Sequence, residues 1–98
     1  EAYIMLLLEQ QATPDDLMAF RLLEYAVNGM RQHIAETGSN KLPIILPVCL
    51  YHGKEKPYPY STDILECFSS PEIAEKCLSR HFHLVDLTMM TNEDFEQN

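Results

Sequence analysis

Glu9 and Gln11 stand two residues apart in the run LLLEQQATPDD, residues 6–16, where three leucines give way to polar side chains. On an extended strand such residues share a face, about 6.6 Å apart along the backbone, so a carboxylate and a carboxamide can reach toward one point. A carboxylate there binds a hard cation such as Mg2+, and the backbone carbonyl of the intervening Gln10 can supply a second oxygen ligand. The amide of Gln11 can orient a water or a phosphate oxygen, but it cannot accept a proton as a neutral lysine could. The same residues also suit a strand that simply leaves the core at a polar tip, and their spacing alone does not separate the two readings.

Other side chains carry smaller possibilities. Arg21 reads as a contact to phosphate or a neighbouring carboxylate, or as no more than an intramolecular ion pair or a solvated charge. Tyr25, one turn later on the same side of a helix, reads as packing with a satisfied hydroxyl. His52, between Tyr51 and Gly53 at the end of a second apolar run, has two readings as well: binding substrate or assisting catalysis, or a turn histidine held by the backbone. His81 and His83 have ligand-like spacing on a strand but no third ligand close by in sequence, so no zinc site is expected from them. Met89 and Met90 read as core or as a hydrophobic contact.

The elements that must position these groups follow from pattern. Residues 3–11 hold six apolar residues in succession with both faces apolar until the tip, the pattern of a central strand covered on both sides. Thr13 as cap, Pro14 at the first helical position and Asp16 closing a capping-box-like T-x-x-D predict a helix from residue 14. Ala19, Leu23, Ala26, Met30 and Ile34, widened by Phe20 and Val27, give it a face to pack on a sheet. Gly38 ends it, at about residue 36, and Gly29 within it is either a weak point or a close approach to another backbone. Residues 42–53 form a second strand, at an edge or bulged because Pro43 and Pro47 lack amide donors. Strand, long helix and strand in succession predict a βαβ crossover with the strands parallel, which brings His52 to the same sheet edge as Glu9.

Beyond this unit, residues 54–60 read as an exposed loop and residues 63–68 as a short helix. Ser70, Pro71 and Glu72 start another helix that runs to about residue 79 with Ile73, Cys77 and Leu78 inward. Residues 81–88 alternate as a final short strand, and residues 91–94 look like one more helix start. The abrupt opening at Glu1 predicts a piece of a longer chain, folded as one partial domain over residues 1–98.

Composition bounds the rest. The chain has 98 residues, 46% of them hydrophobic, enough for about one modest core. Its formal net charge of −8 does not by itself suggest a nucleic-acid partner. The charge is uneven, however: residues 1–60 hold five basic against seven acidic residues, whereas residues 61–98 hold two against eight. The first part can face a phosphate with a metal's help, and the acidic part must point elsewhere. Three cysteines without a close-spaced pair, no signal peptide and no apolar run near membrane length predict a reduced, soluble, cytoplasmic chain.

The stretches YIMLLLEQQATPDDLMAFRLLEYAVNGMRQHI and LPIILPVCLYHG together resemble the Rpn recombination-promoting nucleases, the YhgA-like transposases, of the PD-(D/E)xK nuclease superfamily. The resemblance covers essentially the whole chain and rests on E-x-Q after an apolar strand, the PDDLMAFRLLEY segment and the PVCLYHG strand end. It implies an α/β, restriction-endonuclease-like core that lacks its first helix and strands. It also implies an Mg2+-dependent endonuclease that hydrolyses DNA and promotes recombination. Glu9 would then be the acidic metal ligand, and Gln11 would stand where the superfamily usually has lysine. The metal-binding Asp expected on the preceding strand has no match within residues 1–98. A rival reading of a different class is an inactive interaction module derived from the nuclease fold, one that dimerises or regulates a full-length relative. A true transposase would need further acidic residues on the same face, and none is found.

Overall fold

Alternating backbone hydrogen bonds join two eight-residue strands, β1 (Ile4–Gln11) and β2 (Ile44–Tyr51), side by side and parallel. The computed structural model describes residues 4–78 and 80–89. The register runs without interruption from Ile4 opposite Ile44 to Gln11 opposite Tyr51. Just past the last pair, the amide of His52 donates to the Gln11 carbonyl at 3.0 Å. Bonding alternates along a parallel ladder, so the even-numbered residues of β2 turn their amides toward β1. Pro47 therefore sits where an amide would point outward, and β2 accepts it at an edge position without a bulge.

The helix α1 (Met18–Thr37) connects the two strands, as the parallel pairing requires. It starts four residues later than the proline and capping pattern predicts. Leu17 is the N-cap and no side chain caps it. The cause is local: the Asp15 carboxylate accepts from the Leu17 amide at 2.9 Å, and its carbonyl accepts from the Met18 amide at 3.2 Å. This aspartate turn competes with helix over residues 14–17. The other end agrees with expectation. Gly38 adopts φ 69° and donates its amide to the Ile34 carbonyl at 2.8 Å.

The packed face of α1 is rotated from the predicted stripe. Met18, Ala26 and His33 are its buried residues, whereas Phe20, Leu23, Val27 and Ile34 stay substantially exposed. Gly29 marks a close approach, but to a side chain rather than to another backbone: a Cβ there would meet Ile45 Cδ1 at 2.8 Å. The odd-numbered face of β2, Ile45, Pro47, Cys49 and Tyr51, lines a largely apolar hollow of about 730 Å3 beneath α1. By register, Met5, Leu7, Glu9 and Gln11 of β1 lie on that same side. The opposite face stays bare among the described residues: Ile4 is 73% exposed, Leu6 64% and Ile44 57%. One layer of helix thus covers one side of the sheet, and the molecule is a slab of 63 × 38 × 17 Å. Its radius of gyration of 19.2 Å exceeds the roughly 13 Å of a compact chain this long.

Loop 54–60 has the expected irregular backbone, with a cis peptide at Lys56–Pro57. A 3-10 turn (Ile64–Cys67) follows, capped by the Asp63 carboxylate, and then α2 (Pro71–Cys77), whose Ser70 hydroxyl accepts from the Ile73 amide at 3.4 Å. The predicted inward set of α2 is not observed: Ala74 is buried, and Ile73, Cys77 and Leu78 are exposed. The strand predicted over residues 81–88 does not form either. Asp86 accepts from both the amide and the hydroxyl of Thr88 and turns the chain into a 3-10 segment, Leu87–Met89. A local bond of this kind prevails where no neighbouring strand offers a ladder. Met89 is 80% exposed rather than core, and Met90 and the predicted helix start at 91–94 lie outside the described residues. No helix among the described residues is long and apolar enough to cross a membrane.

The left-handed backbone at Gly38 isolates a purely conformational effect, since nothing lies within 4 Å of the position a Cβ would take. Gly38→Ala is expected to lower stability by about 1 kcal/mol and Gly38→Asn by less. Equilibrium urea denaturation checks both, and a neutral alanine variant would contradict the assignment.

Candidate active site

Glu9, Gln10 and Gln11 are the last three residues of β1, and their partners across the ladder are Cys49, Leu50 and Tyr51. The parallel arrangement brings the ends of both strands to one edge, as the crossover predicts. Glu9 and Gln11 share the α1 side of the sheet and are half-buried, while the Gln10 side chain is exposed on the other face. The His52 amide binds the Gln11 carbonyl, so by alternation the Gln10 carbonyl points away from β2, toward the open edge of β1. The ladder does not consume it. The backbone of His52 is thus tied to the tip while its side chain is exposed.

Arg21 meets a carboxylate. Its Nε lies 2.8 Å from Oδ2 of Asp15, in the connection between β1 and α1. Asp15 therefore joins the aspartate turn, the ion pair and a third contact, a hydrogen bond from the Tyr58 hydroxyl to its carbonyl at 2.9 Å. Tyr58 packs edge-on against Tyr51, with ring centroids 5.1 Å apart, and against Tyr60 at 6.1 Å. The Tyr51 hydroxyl donates to the Glu55 carbonyl at 2.7 Å. Burial, with Glu55 adding to it, pushes the Tyr51 hydroxyl above its usual pKa. Burial followed by Cys49 and Asp15 does the same to Tyr58. Both phenols therefore stay protonated at neutral pH and keep donating these two bonds.

Cys49 is the residue that motif reasoning passed over. It lies directly opposite Glu9, and its thiol is pushed above the usual range by burial first and by the Glu9 carboxylate second. The signal was available only through register, since the two positions are 40 residues apart. Tyr58 was likewise invisible as a partner of Asp15, a contact spanning 43 residues. Among the described residues no metal-suited group gathers at His81 or His83, and both are exposed.

Oxygen donors at the tip match a hard cation in kind: a carboxylate on Glu9, a freely directed carbonyl on Gln10 and an amide on Gln11. They do not complete a shell. No group of three or more His, Cys, Asp and Glu side chains suited to a metal occurs among the described residues. Mg2+ tolerates so sparse a set, because it retains several waters and binds through one or two carboxylates together with substrate phosphates.

Comparison with known proteins agrees with the resemblance. The family model described as "Putative transposase, YhgA-like" matches residues 1–98. The chain is similar to the recombination-promoting nuclease RpnA of Escherichia coli strain K12, 40% identical over 98% of this chain and 32% of that protein. It is 35% identical to RpnC of the same strain, also named a recombination-promoting nuclease, over 98% of this chain and 32% of that protein. It is equally 35% identical, over 100% of this chain and 32% of the relative, to RpnE, named an inactive recombination-promoting nuclease-like protein. The chain thus spans about a third of the length of these curated relatives. No solved structure matches it.

The opposition of Glu9 and Cys49 gives a chemical readout. Alkylation by iodoacetamide at pH 8 is expected to modify the exposed Cys77 first and Cys49 last. Glu9→Gln is expected to speed labelling of Cys49 several-fold and leave Cys77 unchanged, followed by peptide mass spectrometry. Equal rates at Cys49 in both proteins would separate the two side chains.

Proposed function

The chain belongs to the YhgA-like transposase family, and from that premise we propose that it carries part of the active site of a metal-dependent DNA endonuclease that promotes recombination. The observation that supports this most is the shared face of Glu9 and Gln11 at the C-terminal end of β1, beside the end of β2. The strand, helix and parallel strand fit a partial core of the PD-(D/E)xK kind. The Glu9 carboxylate and the Gln10 carbonyl would hold Mg2+, which when bound supplies Lewis-acid stabilisation of charge on phosphate and a more acidic water. Gln11 orients the attacking water or a phosphate oxygen through its carboxamide. It does not take the proton, since a neutral amide has no basic lone pair at physiological pH. The proton passes to solvent or to a phosphate oxygen.

Arg21 has its place through Asp15. The ion pair fixes the connection that leaves the tip, and the half-exposed guanidinium would contact a phosphate there. His52 holds the tip through its amide, leaving an exposed imidazole for a substrate contact. A DNA substrate would suit a cytoplasmic site of action.

A second reading is an inactive interaction module. Two observations favour it: a relative as similar as RpnE is named inactive, and the bare face formed by Ile4, Leu6, Leu8, Ile44, Leu46 and Leu50 suits association with a second copy.

Plasmid cleavage by the full-length protein carrying this chain separates the two. Nicking is expected in Mg2+ and not in EDTA. Glu9→Ala is expected to reduce it by about 100-fold or more and Gln11→Ala by about 10-fold or more, in line with the loss of a metal ligand and of a positioning donor. A wild-type protein inert with every divalent cation, or a Glu9→Ala variant that cuts as well as wild type, overturns the active-site assignment and favours the module.

A further inference from the structure

Residues 52–60 leave β2 at the edge where Glu9 and Gln11 end β1, and they carry a charge that the rest of the chain does not lead one to expect. Lys54 and Lys56 are both exposed and, among the described residues, neither is paired with a carboxylate. In a chain of net charge −8 with seven basic residues, two of the seven stand within three positions of each other beside the candidate tip. Glu55 lies between them, and its carbonyl is occupied by the Tyr51 hydroxyl.

The loop is held against the tip rather than left free. The bond from Tyr51 to Glu55 turns the chain back across four residues. Tyr58 sits between the rings of Tyr51 and Tyr60 and reaches across to the Asp15 carbonyl. Gly53 passes so near the Ala12 carbonyl and the Tyr51 hydroxyl that a Cβ would overlap both. These contacts clasp the two loops that follow the two strands. Between them runs an open groove of about 450 Å3, walled by Ala12, Thr13 and Pro14 on one side and His52, Gly53, Lys54 and Glu55 on the other, with Lys56 just outside it. The groove begins where His52 binds the Gln11 carbonyl, immediately beyond the tip.

We propose that residues 52–60 form a nucleic-acid contact loop, in which Lys54 and Lys56 hold backbone phosphates next to the one presented to Glu9 and Gln11. The inference rests on the reading of that tip as an active site. An unpaired ammonium on a flexible stem suits a phosphate as a point charge, without base preference. The clasp lowers the conformational cost of binding, because the backbone bearing both lysines is ordered beforehand. Tyr58 is a positioning residue: it touches no phosphate and fixes the loop through Asp15.

The test measures binding of a 30-base-pair fluorescein-labelled duplex to the full-length protein by anisotropy, in EDTA so that nothing is cleaved, from 50 to 300 mM NaCl. Lys54→Ala combined with Lys56→Ala is expected to weaken binding by about 10-fold or more at 100 mM salt. It is also expected to flatten the dependence of log K on log salt by about 1.8, the loss of two phosphate contacts. Lys41→Ala with Lys76→Ala, the same change in net charge elsewhere, is expected to leave the slope at its wild-type value. Tyr58→Phe, which keeps the ring, is expected to weaken binding without changing the slope. In Mg2+, the double lysine variant should raise KM and keep kcat within about twofold, since it removes binding that is uniform between ground and transition states.

A slope for Lys54→Ala with Lys56→Ala equal to that of the Lys41 and Lys76 control overturns the loop even if Glu9-dependent cleavage is present. Lysine-dependent binding without any cleavage overturns the active-site reading and leaves the loop as a nucleic-acid contact. No duplex binding by the wild-type protein overturns the loop outright.

Discussion

The parallel ladder between β1 and β2, closed by the His52 amide on the Gln11 carbonyl, is the constraint on which the site depends. It fixes three things at once. It brings the two strand ends to one edge, it sets Glu9 opposite Cys49, and it turns the Gln10 carbonyl away from β2. A slip of one residue would carry Glu9 and Gln11 to the opposite face and put Gln10 in their place. The uninterrupted register across eight pairs, with Pro47 at an outward amide position, is what prevents that slip.

Packing contributes less to this precision than a sheet usually draws from its core. Among the described residues α1 covers one face only, its buried residues are Met18, Ala26 and His33, and a hollow of about 730 Å3 opens between part of it and β2. The even-numbered face is bare among the described residues. Short polar contacts take over the positioning: the aspartate turn at Asp15, its pair with Arg21 and the tyrosines that join the two loops. Each bond of this kind is worth about 1 kcal/mol net, but their geometry is directional where apolar burial is not.

Much of this architecture was legible from pattern alone. The apolar runs, the long helix with Gly38 at its end and the cap at Ser70 located β1, α1, β2 and α2 and made the strands parallel. What failed did so for a common reason. Thr13, Pro14 and Asp16 wrote a helix start that Asp15 overrode with its own bonds, and Phe20 and Val27 belonged to an apolar stripe that the single covering layer did not need. The alternation of residues 81–88 resembled a strand, but a strand requires a partner, and the local bonds of Asp86 to Thr88 prevailed. Of the candidate site, Glu9, Gln11 and His52 were brought together as topology dictates. Cys49 and Tyr58 were not legible, because their relevance arises from contacts spanning about 40 residues that no local spacing encodes.

The division of labour between ladder and loops bears on how an acidic chain could handle a polyanion. Residues 61–98 carry a strong negative excess, and nothing in their sequence offsets it. The tip itself adds the Glu9 carboxylate. If phosphate is to approach, positive charge must be local, because at physiological salt an exposed charge acts over only about 8 Å. A cation held by Glu9 and the Gln10 carbonyl would meet that need at the tip, and Lys54 in the groove, with Lys56 two residues on in the same loop, would meet it one step outward. Net charge then argues less against nucleic acid where the acidic residues lie beyond a screening length, while Glu55, which lines the groove, is a local repulsion that the lysines must outweigh. The clasp through Tyr58 and Asp15 matters for the same reason: short-ranged attraction is effective only if the loop that bears it is held beside the strand tip.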